Sequence, residues 1–390
     1  MDLTRCEVVV LGAGVAGLAV ARALALQGAD VTVLEQADAI REVGAGLQVS
    51  PNGAAVLRAL GLAAPLADLS LPARAVHLHD GPSGDRVVTM DLARSAGEHG
   101  FHLMHRADLI GILAEGARAA GVKLRLLQRI EQVDLSGPVP VLATAQGARI
   151  EAPILLGADG LHSRVRAALN GADKAFFTGQ VAWRAVIPET PGADPVAEVH
   201  MGPGRHLVSY PLRGGRQRNL VAVEERTRWA EESWSLTDDP MELRLAFQGF
   251  GPRVTGWLDQ VDRVNLWGLF RHPVADRWHS GAAAILGDAA HPTLPFLAQG
   301  ANMALEDAWV LARMLARLDT PAAAFAAYQA ARAPRCRRLI EAANRNARAY
   351  HLASPLREVA HAVLRLGGRL APGLALSRFD WVYRHDVTAG

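Results

Sequence analysis

The chain has 390 residues and is 50% hydrophobic, enough to bury one large core or two modest ones. Its 41 Lys and Arg against 39 Asp and Glu leave a formal net charge of +2, and no basic run is interleaved with aromatics, so nucleic acid is not an expected partner. The cysteines, Cys6 and Cys336, in a chain without a signal-peptide pattern argue against disulfide or metal roles and for a cytoplasmic address.

The first predicted element is a buried parallel strand over the β-branched run Val8 to Val10. Gly12, Gly14, Gly17 and Arg22 interrupt the apolar run that follows, so it reads as a turn and helix and not as a membrane span. Gly12 permits a tight turn, Gly14 lets backbone approach a pyrophosphate, and Gly17 lets the helix pack on the sheet. A diphosphate would meet N–H groups at the positive end of that helix. A second strand, Val31 to Leu34, ends at Glu35, whose carboxylate suits both ribose hydroxyls of an adenosine. Strand, glycine turn, helix and an acid at roughly the 20-residue spacing expected together predict a dinucleotide site. The acid repels a 2′-phosphate, which favours FAD or NAD over NADP.

Further along, a strand over Ile154 to Leu156 runs into Gly157, Ala158, Asp159 and Gly160, followed by a short helix carrying Arg164 and Arg166. Asp159 reads either as part of the nucleotide site or as the N-cap of a helix from Leu161 onward. The segments Ala182 to Ile187, His206 to Pro211 and Leu220 to Val223 alternate in character and suit an antiparallel sheet. Residues four apart on a strand share a face, so His206 and Tyr210 can enter one pocket with Val208 between them. A third strand, Ala283 to Leu286, runs into Gly287 and Asp288, and the loop after it ends at a helix near Gly300. Helical spacing recurs from Met303 to about Leu318 and from Ala322 to Tyr350, predicting helices that pack on the nucleotide domain or on a second subunit. No His/Cys/carboxylate set stands at metal-ligand spacing.

The GxGxxG from Gly12, the DG of Asp159 and Gly160, and the GD of Gly287 and Asp288 resemble, in this order, the group A flavin monooxygenases. These are the single-component aromatic hydroxylases with the 4-hydroxybenzoate hydroxylase fold. The resemblance spans nearly the whole chain, including Trp381, Tyr383 and Asp386. GAGLQVSPN (Gly44 to Asn52), HRADL (His105 to Leu109), HLVSYPLRGG (His206 to Gly215) and the HPTLPFLAQG loop are most similar to the branch of 3-hydroxybenzoate 6-hydroxylase, salicylate hydroxylase and 6-hydroxynicotinate 3-monooxygenase. It implies an α/β fold with a Rossmann-like FAD-binding domain of the GR2 type, discontinuous over 1–70, 98–175 and 275–310. An inserted antiparallel-sheet substrate domain over 71–97 and 176–274 and C-terminal helices over 311–390 complete that expectation. The implied reaction uses FAD, transient NADH or NADPH, and O2 to hydroxylate a small phenolic or N-heteroaromatic acid through a flavin C4a-hydroperoxide. A homodimer without stable membrane association is the family expectation. Two alternatives stay open: a quinone-precursor hydroxylase acting on a lipid phenol, and a flavin-binding redox protein that hydroxylates nothing.

Residue roles follow from the resemblance. Asp288 resembles the aspartate that bonds the ribityl chain, Arg106 the arginine beside the diphosphate, and Glu35 the adenosine-ribose acid. The N–H groups of Gly300, Ala301 and Asn302 would face the pyrimidine edge of the isoalloxazine, where the helix dipole favours reduced, anionic flavin. Arg41 contacts adenosine or the incoming nicotinamide, or is an exposed partner beside Glu42. Relatives place a histidine and a tyrosine at the spacing of His206 and Tyr210 near the phenol oxygen, making His206 the expected base. Gln48 and Pro295 are expected in the substrate pocket, with Gln299 in the same loop above the flavin. His291 either anchors that loop or touches substrate, and Trp183 belongs to the core.

Overall fold

The β-branched run becomes β1 (Glu7–Leu11), buried from Val8 to Leu11 because strands flank it and helices cover its faces. The computed structural model describes residues 1–40, 45–94, 97–172, 174–227, 237–371 and 373–389. After β1 the chain turns at Gly12, whose φ of +96° lies where an L side chain is strained. It then enters α1 (Val15–Ala25) and returns as β2 (Asp30–Leu34), parallel to β1 with Val9 opposite Thr32. Cys6 falls just before β1 and not within it.

In chain order there follow α2 (Arg106–Ala119), β3 (Lys123–Arg125), β4 (Ile154–Gly157) and α3 (Arg164–Asn170). Next come β5 (Phe176–Pro188), β6 (Val196–Gly202), β7 (Arg205–Leu212), β8 (Gln217–Glu225), β9 (Val264–Arg271) and β10 (Ala283–Ile285). The chain ends in α4 (Gly300–Arg317), α5 (Pro321–Tyr350), α6 (Leu356–Leu370) and two single turns.

Among the described residues, one sheet has the order His279–Ser280, β10, β4, β1, β2, β3, parallel throughout except for the His279–Ser280 edge. Helix α1 packs on α2 and α4, and its close approach to the strand end requires Gly17, where a Cβ would collide with the Gly12 carbonyl oxygen. The second sheet runs Thr237–Asp238, β9, β5, β8, β7, β6, Ala75–Asp80, Arg86–Asp91, with only β6 and Ala75–Asp80 parallel. Strand alternation sorts its two faces. Trp183, Leu207, Leu220 and Leu266 pack outward beneath the helices Pro240–Phe247 and Pro252–Leu258. Ala182, Val221, Val223 and Leu269 pack inward against Leu294, Phe296 and α5. No described helix is long and apolar enough to cross a membrane.

A buried ionic cluster ties α4 to α5 and to the GD turn. Asp307 of α4 accepts from Arg332 Nε of α5 at 2.7 Å, from the Gly287 amide at 3.1 Å, and lies 2.5 Å from His291 Nε2. Neighbouring Glu306 accepts twice from Arg335 at 2.8 Å and from Asn52 at 2.7 Å. Burial opposes ionisation of both carboxyls, but the guanidinium and imidazole partners win and hold each pKa near about 2.

Candidate active site

A cavity of about 650 Å³ lies between the carboxyl edge of the parallel sheet and the inner face of the second sheet. Ligands of open parallel sheets bind at that edge because the helix N-termini converge there. Gly12 and Gly14 border it, and a Cβ at Gly14 would meet nothing within 4 Å, so its backbone stands open to the cavity. No side chain caps α1, and the amides before Leu18, which donates to Gly14 O, are left for an anion. Glu35 accepts from the Ala13 amide at 2.8 Å and the Ala37 amide at 2.9 Å, one bond per oxygen, which leaves each oxygen acceptor capacity toward the cavity. Together these groups fit a dinucleotide's diphosphate and ribose.

Beyond the glycine turn, Arg106 at the start of α2 and Asp288 in the GD turn border the same space. The protein around Asp288 raises its pKa by desolvation, against the opposing pull of Arg106. Gly300 and Ala301 bring the uncapped N-terminus of α4 to the cavity wall. Asn302 sits behind them, fully buried, its amide donating to Gln48 O and Ala298 O and accepting from the Ser50 amide. It braces the strand that carries Gln48, a residue that does line the cavity, as does Pro295.

Some sequence expectations need correction. The helix after the DG turn begins at Arg164, not Leu161, and its N-cap is Ser163, which accepts from the Arg166 amide. Asp159 still borders the cavity while accepting from Ser163 Oγ at 2.5 Å and the Arg164 amide at 2.7 Å. Gln299 lies in the loop over the cavity, at the N-cap of α4, but its side chain turns away from the cavity and is buried, bonded to Ser50 and Asn52. His291 anchors the loop through Asp307. Trp183 is core, its indole donating to Asp238 at 2.7 Å. Arg41 lies outside the described residues.

On the roof, His206, Val208 and Tyr210 all face the cavity, as their spacing on β7 predicts. Burial raises the Tyr210 pKa, so its hydroxyl stays protonated. His206 Nδ1 stands 2.7 Å from His351 Nε2, and His351 Nδ1 stands 2.6 Å from Glu225 Oε1. A carboxylate only accepts, so His351 carries its proton on Nδ1 and accepts on Nε2. The proton between the rings therefore belongs to His206 Nδ1, which leaves His206 Nε2 as a base. Burial, and then the nearby His351, hold the His206 pKa well below the usual histidine range. Glu225 at the far end is 53% exposed, so the chain of bonds runs from the cavity to solvent.

Sequence reasoning missed His351, Glu225 and Arg184. Arg184 lies on the inner face of β5, borders the cavity, and stacks over the Trp267 ring at 4.3 Å. The alternation of WRAVIP, with Trp183 outward, was the signal that could have found it. The fold also assembles two groups whose spacing is invisible in sequence, His79 with Glu198 and His200, and His291 with Asp307 and Cys336. Their carboxylates are already matched by guanidiniums, Glu198 by Arg253 at 2.7 and 2.8 Å and Asp307 by Arg332.

A dinucleotide cradle that opens directly into a pocket roofed by a second sheet defines a nucleotide-dependent oxidoreductase whose redox ring meets substrate beneath the roof. The family model described as FAD binding domain matches residues 5–343, and the chain belongs to that family, as an FAD-dependent aromatic monooxygenase. It is 38% identical over 356 residues to a 3-amino-4-hydroxybenzoate 2-monooxygenase of Streptomyces cremeus, covering 89% of this chain and 88% of that one. It is 33% identical over 361 residues to a 3-hydroxybenzoate 6-hydroxylase of Klebsiella oxytoca, covering 90% of each. Among solved structures, Klebsiella pneumoniae HpxO complexed with FAD and uric acid superposes with a TM-score of 0.83 at 26% identity, over 96% of this chain and 97% of that one.

Proposed function

We propose that this monooxygenase, working in the cytoplasm with NADH or NADPH and O2, hydroxylates a small phenolic or N-heteroaromatic acid, and that His206 is the base that activates it. FAD when bound supplies the redox chemistry, taking electrons from the nicotinamide and delivering one oxygen atom to the ring. Gly12, Gly14, the α1 amides, Glu35, Arg106, Asp159, Asp288, Gly300 and Ala301 are the groups that would hold it.

The observation that carries this reading is the His206–His351–Glu225 chain opening into the cavity. His206 Nε2 takes the phenolic proton, Nδ1 passes its own to His351 Nε2, and His351 Nδ1 passes one on to Glu225 at the surface. The ring gains electron density, and no net charge stays buried on His206. Tyr210, held as a neutral phenol, donates to the substrate oxygen. Arg184 meets the carboxylate of the acid, a charge-assisted pairing that fixes which ring carbon faces the flavin. A homodimer belongs to this proposal.

The test is anaerobic stopped-flow reduction of the flavin-loaded protein by NADH and by NADPH, with and without hydroxybenzoates, salicylate and hydroxynicotinates. Acceleration by one aromatic acid, with matching product formed in air, is expected. Slow reduction with every acid would move weight to a lipid phenol or a redox role.

A further inference from the structure

The register of the roof sheet fixes how far apart its base and its cation stand. Val221 of β8 is opposite Val208 of β7 on one side and opposite Arg184 of β5 on the other. Val208, Val221 and Arg184 therefore form one row across three adjacent strands, and all three border the cavity. His206 and Tyr210 lie two residues to either side of Val208, so Arg184 is level with the midpoint between them. Strand β8 separates β5 from β7, which sets the two ends of the row about 10 Å apart at the usual strand spacing.

The strand beyond β5 shows which way the guanidinium leans. Trp267 of β9 is opposite Ala182 of β5, and β9 lies on the side of β5 away from β7. Arg184 Cζ stands 4.3 Å from the centre of the Trp267 ring, so the stack draws the charge away from His206 and Tyr210. Between the two ends, β7 and β8 offer Val208, Val221 and Val223 to the cavity, an apolar ceiling for a flat ring.

We propose that this pocket selects aromatic acids whose ionising hydroxyl is para to the carboxylate, as in 4-hydroxybenzoate and 6-hydroxynicotinate, over their ortho and meta isomers. The inference rests on the roles given above to His206 and Arg184 and adds the separation between them. A para acid carries its two groups at opposite ends of one axis, and the row is such an axis. The hydroxyl sits at Val208 between the base and the Tyr210 phenol, the ring under Val221, and the carboxylate at Arg184. A meta acid bonded to Arg184 turns its hydroxyl off that line and shortens the reach toward β7. An ortho acid carries both groups on one side of the ring and meets only one end of the row. Its hydroxyl also donates to its own carboxylate, and a hydrogen bond to the neutral form opposes loss of the proton.

The experiment compares 2-, 3- and 4-hydroxybenzoate, with 2- and 6-hydroxynicotinate as the matching heteroaromatic pair, on the flavin-loaded protein. Binding is read from the change each acid causes in the flavin spectrum, and turnover from product formed in air. Para acids should exceed their isomers in kcat/KM by about 10-fold to 100-fold, as expected for one hydrogen bond involving a charged group. In Arg184→Gln, with flavin content unchanged, the para acids should lose that advantage while the isomers change little. Hydroxylation of 2- or 3-hydroxybenzoate as efficient as that of the 4-isomer leaves the monooxygenase reading standing and overturns the para rule. So does a para preference that survives Arg184→Gln undiminished. Indifference to every acid in both readouts ends the reading of the site, and the inference with it.

Discussion

His206 and His351, 145 residues apart in sequence, face each other at 2.7 Å with both rings buried. The pairing fixes which nitrogen of His206 is free, and so which proton the pocket can remove.

If His351 sets that polarity, His351→Ala should keep its flavin and slow hydroxylation. The nearby His351 is one cause of the low His206 pKa, so removing it lets that pKa rise. A base works only when unprotonated, so the acid limb of kcat/KM should move to higher pH. A profile that stays in place would separate His351 from the chemistry. His206→Ala should lower coupled hydroxylation by ~10²–10⁴.

Arg184 is predicted to act on binding. Arg184→Gln should raise KM for a carboxylated substrate by roughly 10-fold to 100-fold, as expected for losing a hydrogen bond to a charged group of about 1.5–3 kcal/mol. Lysine should restore it only in part, since it lacks the planar fork. Equal losses with an analogue that has no carboxylate would assign Arg184 another role.

Asp288→Ala should purify with less flavin, read from the ratio of visible to 280 nm absorbance. Full occupancy with unchanged affinity would remove Asp288 from the cofactor site.

The ionic cluster predicts an acid limit to stability. Glu306 and Asp307 have folded-state pKa values of about 2 against ordinary values of 4.5 and 3.8. Depressed carboxyls stabilise the fold above the ordinary values, and this contribution is lost as pH falls from about 4.5 toward 2. Urea midpoints should fall across that window, and should decline again as pH rises above 6.5, because His291, opposed by burial but held by Asp307, has its pKa raised well above that ordinary value. Asp307→Ala should cost ~3–5 kcal/mol, because buried His291 loses its carboxylate and buried Arg332 keeps only Glu306 of its two. A loss below ~1 kcal/mol would show that the cluster relaxes.

Of the nucleotide half of the site, the glycine turn and the acid after β2 were legible residue by residue. Gly12 needs a positive φ, Gly17 needs a missing Cβ, and Glu35 needs the end of β2, and each requirement is local to a strand, turn and helix adjacent in the chain. The substrate half was legible only where one strand carried it, as with His206, Val208 and Tyr210 on β7. Asp159 shows where local reading slips, because a DG turn tolerates a helix that starts two residues or five residues later, and Ser163 decided it.

Sequence alone determined the class of fold, the glycine turn at the cavity and the pair of roof residues, because hydrophobic period, glycine conformation and strand alternation act over a few neighbouring residues. Tertiary structure alone decided that β5 turns Arg184 inward, and that His351 and Glu225 complete the path from His206. Those outcomes depend on which faces meet after the chain has closed, and no local pattern encodes the partner of a hydrogen bond made across 145 residues.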